Sequence, residues 1–107
     1  MNLPSPIQTY FEADQNHDGE AFIGAFAPDA VVIDEGRSYT GRQAIDAWWR
    51  RAKAQFEYVV EPFEIDEKGA ATEVRGKVTG QFPGSPATLT FAFLLEHEQI
   101  SRLEITP

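Results

Sequence analysis

Apolar residues recur at helical spacing through the first half of the chain and alternate as in strands beyond residue 56. Pro4-Ser5-Pro6 predicts a helix start, with Ser5 as the cap and Pro6 in the first turn, where its missing N–H costs nothing. Ile7, Tyr10, Phe11 and, weakly, Ala13 form one stripe from Pro6 to about Asn16, and Asn16-His17-Asp18-Gly19 breaks it. A short second helix, Glu20 to Phe26, turns Phe22, Ile23 and Phe26 inward behind an Asp18 cap. A third runs from about Arg42 to Gln55, with Ile45, Trp48, Trp49 and Ala52 buried and Arg42, Asp46, Arg50, Arg51 and Lys53 on its wet side.

Between the second and third helices, FAPDAVVIDEGRSYTGR predicts a turn at Pro28-Asp29, an apolar strand from Ala30 to Ile33 and a short extended piece from Ser38 to Thr40. Further on, Phe56 to Ile65 reads as a strand, with Pro62 marking a sheet edge or a bulge. Ala70 to Gly80 alternates, with Thr72, Val74, Gly76 and Val78 on one face and Glu73, Arg75, Lys77 and Thr79 on the other. Ala87 to Leu95 is the most apolar strand and therefore central; Ile100 to Thr106 is the last. Helices first and an antiparallel sheet after them predict a single α+β domain over residues 1–107, with the helices on one face of the sheet.

Composition narrows the function classes. A chain of 107 residues holds one core, burying roughly 65% of its unfolded surface. With no cysteine there is no disulfide or thiolate chemistry, which suits a cytoplasmic location. No His/Asp/Glu group has metal-ligand spacing, and there is no phosphate-binding glycine loop, so no metal or other cofactor is expected. A formal charge of −8 argues against nucleic acid as a partner. The N-terminus has neither the basic region nor the apolar run of a signal peptide, and no stretch is apolar enough to span a membrane.

One acid stands out. Asp34 falls where the first apolar strand runs out. Burying an ionised carboxylate costs several kcal/mol unless it is paired or faces a cavity. Asp34 is therefore either a solvated strand end, paired with Arg37 or Arg42, or an acid pointing into a pocket.

The order of elements, with IQTYFEADQNHD, GEAFIGAFAPDAVVIDEG and TGRQAIDAWW, resembles the nuclear transport factor 2-like superfamily over nearly the whole chain, in its SnoaL-like and ketosteroid-isomerase-like bacterial branch. The resemblance implies a cystatin-like cone: a curved antiparallel sheet wrapped around three N-terminal helices, an apolar cavity open at one end, and a homodimer formed through the outer sheet face. Ketosteroid isomerases use an aspartate at the end of the first strand as general base, and Asp34 falls there. Their oxyanion-holding tyrosine on the first helix corresponds to Tyr10, and their supporting tyrosine on the third helix to Trp49. The position of their protonated aspartate is held by Phe91, or by Thr90 with a one-residue slip.

The remaining candidates follow from these placements. Tyr10 is either a core aromatic or an oxyanion donor. Trp48 and Trp49 point about 100° apart, so one lines the cavity and the other packs on the sheet. Phe56, Tyr58, Phe91 and Phe93 supply aromatic walls, and Tyr39 covers the mouth. The resemblance turns Arg102 and Glu104 toward the cavity, where they would anchor a ligand; the alternative is an ion pair in solvent or at a dimer interface. The expected ligand is an apolar small molecule and the expected chemistry, if any, is acid–base isomerisation, dehydration, cyclisation or hydrolysis. The rivals are a non-catalytic ligand-binding module and a protein-association module.

Overall fold

The computed structural model describes residues 1–107. Its elements are α1 (Ser5–Asn16), α2 (Gly19–Gly24), β1 (Phe26–Asp34), β2 (Arg37–Thr40), α3 (Arg42–Phe56), β3 (Val59–Lys68), β4 (Ala71–Thr79), β5 (Ala87–Glu96) and β6 (Gln99–Thr106). One six-stranded sheet runs β2-β1-β6-β5-β4-β3.

Local chemistry sets most of the boundaries. His17 adopts the left-handed conformation that ends α1, and Asp18 accepts from the Ala21 amide at 3.1 Å to start α2. Pro4, not Ser5, is the cap of α1, and no side chain bonds there; Ser5 is already helical. Gly41, at φ 89°, turns the chain from β2 into α3. Pro62 removes one ladder donor, and β3 accordingly lies at the sheet edge with a bulge between Pro62 and Glu64.

Two features of the sheet differ from the expectation. The strand β1 starts at Phe26 rather than Ala30, because Pro28-Asp29 is an irregularity inside the strand and not a turn before it. Phe26 still pairs with Ile100, and the Ile100 amide donates to Ala25 O at 2.8 Å. The β1–β6 pair is also parallel, while every other pair is antiparallel. With α3 and four strands between them in sequence, β1 and β6 meet by a long crossover and not by a hairpin.

The core lies between the helices and the inner sheet face. Val74 and Val78 of β4, Phe91 and Phe93 of β5 and Leu103 of β6 meet Ile7, Tyr10 and Phe11 of α1 there. Tyr10 is ringed by aromatics: Phe22 at 4.8 Å between centroids, Phe11 at 5.0 Å and Phe93 at 5.4 Å. Each such side chain, fully buried, contributes roughly 1.5–3 kcal/mol. Gly76 stays side-chain-free for a packing reason, since a Cβ there would lie 2.8 Å from Val60 Cγ1 and 3.3 Å from Phe91. No helix is long and apolar enough to cross a membrane.

Candidate functional site

A cavity of about 450 Å³ opens between α3 and the inner face of β3 to β6, with Tyr10 of α1 reaching it as well. Fifteen residues line it, twelve of them hydrophobic. Asp34, Tyr10, Trp48, Phe56, Tyr58 and Phe91 are among them, so the structure brings these six expected residues to one space.

Asp34 is the last residue of β1 and is half-buried. The Trp48 indole donates to its Oδ2 at 3.0 Å. Neither expected arginine reaches it: the Arg42 guanidinium bonds Phe26 O at 2.7 and 3.0 Å, and Arg37 forms no ion pair with it. Burial therefore dominates and raises the Asp34 pKa above its ordinary value; the Trp48 bond opposes the rise, the Glu35 charge adds to it, and the Glu35 amide opposes it. A carboxylate so placed takes up a proton more readily than a solvated one.

Tyr10 is 2% exposed, yet its hydroxyl has no partner within the protein. Every fully enclosed side-chain polar atom in the structure is hydrogen-bonded, so this unbonded hydroxyl is one that still touches the cavity space. Burial, then the charges of Asp14 and Asp34, hold the phenol well above its usual pKa, and it stays protonated as a donor.

Five expected ligand contacts lie elsewhere. Trp49 does not line the cavity; it stacks on Phe22 of α2 (4.4 Å between centroids, 14° between planes). Phe93 is wholly buried in the core against Tyr10 and Phe11. Tyr39 lies 6.0 Å from the Trp48 ring, between centroids, and is not among the residues that line the cavity. Arg102 and Glu104 point away from the cavity and pair with one another at 3.3 Å, their side chains 42% and 39% exposed. The register is the cause. Phe91 pairs with Ile105 and Phe93 with Leu103, so the inward residues of β6 are Leu103 and Ile105, and Ile105 lines the cavity.

Two buried charged residues beside the cavity were not among the expected site residues. Asp14, 2% exposed, accepts from Trp49 Nε1 at 2.8 Å and from the Tyr58 hydroxyl at 2.9 Å, and pairs with Lys53 Nζ at 3.3 Å. Lys53 also donates to Tyr58 O at 3.0 Å, and its ammonium lies 3.9 Å from the Tyr58 ring centre. Lys53 belongs to the buried side of α3 and not to its wet side. The sequence signal was spacing: Asp14 follows Tyr10 by one helical turn, as Lys53 follows Trp49, placing both on the apolar stripes. Burial, then Tyr10 and Asp14, drive the Tyr58 phenol far above its ordinary pKa. Its proton is committed to Asp14, which leaves Tyr10 as the phenol free to donate into the cavity.

Residues 7–102 match the model of the SnoaL-like domain. The chain belongs to the SnoaL-like family. Among solved structures it is similar to a candidate polyketide cyclase from Sinorhizobium meliloti, 48% identical over 97% of this chain and 95% of that one, with a TM-score of 0.95. Its fold is shared with a candidate ketosteroid isomerase from Kribbella flavida (13% identity, 95% of this chain and 74% of that one, TM-score 0.81). An LEH-like epoxide hydrolase from Mycobacterium tuberculosis shares it too (17% identity, 95% and 79%, TM-score 0.77). A search of curated proteins finds no match.

Proposed function

We propose that this SnoaL-like protein binds an apolar carbonyl compound in its cone and turns it over by cofactor-independent acid–base chemistry. One observation carries the reading: an unpaired, half-buried carboxylate and an unpartnered phenol line the same apolar cavity. Asp34 takes a proton from the carbon next to the carbonyl, and the C–H electron pair moves into an enolate whose charge collects on oxygen. The Tyr10 hydroxyl donates a hydrogen bond to that oxygen. Return of the proton at a second carbon gives isomerisation; attack of the enolate carbon on a second carbonyl of the same molecule breaks that C=O π bond, and the alkoxide formed takes the proton back from Asp34, giving cyclisation. The likeness to a candidate polyketide cyclase favours cyclisation. Trp48 acts as a positioning residue by fixing one Asp34 oxygen and leaving the other to the substrate.

A second reading, a non-catalytic ligand carrier, is favoured by Phe91, whose ring faces the cavity where a second oxyanion donor would be needed. Asp34→Asn separates the two. Under the first reading it abolishes turnover of a 1,3-diketone panel while ligand affinity is kept; turnover retained at the wild-type rate refutes Asp34 as the base. The outer sheet face, where Arg102 and Glu104 pair, is the proposed homodimer surface. Sedimentation at micromolar concentration reads a dimer if this is right and a monomer if it is not.

A further inference from the structure

The charged groups that line the cavity are both acids. Asp34 lines it and Glu35, exposed at the β1–β2 turn, stands at its rim; no lysine, arginine or histidine joins them. Neither acid takes part in any ion pair of the protein. Two cations lie near but neither pairs with these acids: Lys53 is engaged by Asp14 Oδ1 and Tyr58 O, and Arg37, opposite Asp34 in the β1–β2 pairing, forms no ion pair. The walls are rich in π faces, with Tyr10, Trp48, Phe56, Tyr58, Phe82 and Phe91 among the lining residues. The Tyr10 hydroxyl, unpartnered inside this space, can accept a hydrogen bond as well as donate one. An aromatic-walled cavity attracts cations through ring quadrupoles, and more strongly once water is excluded.

We infer that the cavity also takes apolar ammonium ions, the nitrogen seated against Asp34 within the aromatic walls and the apolar body running toward Leu89 and Phe82, and that it rejects carboxylates of the same shape. The ammonium supplies the counter-charge that the protein withholds from Asp34, and Glu35 adds long-range attraction at the mouth. Such a ligand occupies the base and is an inhibitor of proton abstraction, not its substrate. The inference rests on the cone being a ligand cavity; it does not depend on turnover.

The test uses three probes on one scaffold: 2-(2-naphthyl)ethylamine, 2-(2-naphthyl)ethanol and 2-naphthylacetate, titrated calorimetrically at pH 7.5 into wild type, Asp34→Asn and Glu35→Gln. The amine is expected to bind at least about tenfold more tightly than the alcohol, and the acetate more weakly than either. Asp34→Asn should bring amine and alcohol within about threefold of each other; Glu35→Gln, at an exposed turn, should cut the amine preference by only about twofold. An alcohol that binds as well as the amine in wild type overturns this inference while leaving the carbonyl-ligand reading intact. An amine preference that survives Asp34→Asn overturns it as well. No binding by any of the three overturns both readings together.

Discussion

Replacing Lys53 by Met tests whether the unexpected buried ion pair supports the floor of the cavity. The ammonium is enclosed with Asp14 at 3.3 Å, bonds Tyr58 O at 3.0 Å and sits on the Tyr58 ring at 3.9 Å. Met keeps most of the apolar stem but removes the charge, leaving the Asp14 carboxylate with only its two neutral donors, Trp49 and Tyr58. Removing one partner of a buried pair costs about 3–5 kcal/mol, because the other charge remains buried and uncompensated. Against a stability of about 5–15 kcal/mol for a domain of this kind, that is a large fraction. Each kcal/mol lowers the melting temperature of a domain this size by about 4–8 °C. Urea denaturation of Lys53→Met, Asp14→Asn and the double variant would complete a cycle. The double variant should cost less than the sum of the singles by about 1–3 kcal/mol, since each single strands the other's partner. A Lys53→Met cost below about 0.5 kcal/mol, the figure for a solvated surface lysine, or strictly additive singles, would refute the reasoning.

Other consequences follow from the same geometry. Arg102→Ala and Glu104→Gln should each change stability by no more than about 0.5 kcal/mol and leave ligand affinity unchanged, because the pair is half-exposed on the outer face; calorimetric titration checks this, and a tenfold affinity loss contradicts the observed register. Asp34→Asn should make the protein more stable than wild type at pH 7. The folded-state pKa of Asp34 is raised, so the stability linked to its proton is complete below the unfolded value near ~3.9 and is lost as pH rises through the folded value. The groups acting on that carboxyl are Glu35 from the turn and Trp48 from α3, with Arg37 opposite it in the strand pairing. Thermal melts from pH 3 to 8 should therefore show the advantage of Asp34→Asn shrinking as pH falls, and an advantage independent of pH would contradict the assigned burial.

Much of this fold was legible because local chemistry and tertiary packing agree. Asp18 caps α2 as its position suggests, Pro62 lies on an edge strand at a bulge, and β4 buries Thr72, Val74, Gly76 and Val78 as its alternation requires. The site was legible where an odd residue interrupted a pattern, as Asp34 does at the end of an apolar strand. It was illegible where a charged residue sat on an apolar stripe: polarity alone sends Lys53 to solvent, and only the presence of Asp14 across the helix interface makes its burial tolerable. The last strand carries a different lesson. Plain alternation, with Leu103 and Ile105 apolar against Arg102 and Glu104 charged, matches the observed faces, whereas placement by family resemblance turned the strand over. The bulge between Leu94 and Leu95 shifts the β5–β6 register and leaves no mark in residue type. The parallel β1–β6 pair was likewise hidden, since strand patterns report which face is buried and not which neighbour lies alongside.

The central claim is that Asp34 is a desolvated acid held at the wall of a ligand cavity by one indole bond and no cation. Its side-chain carboxyl ¹³C resonance, assigned by difference from Asp34→Asn and followed through a pH titration, measures this directly. The account predicts titration clearly above the ~3.9 of a solvated aspartate. Titration at or below that value would mean a solvated or ion-paired strand end, and would contradict Asp34 both as base and as ammonium anchor.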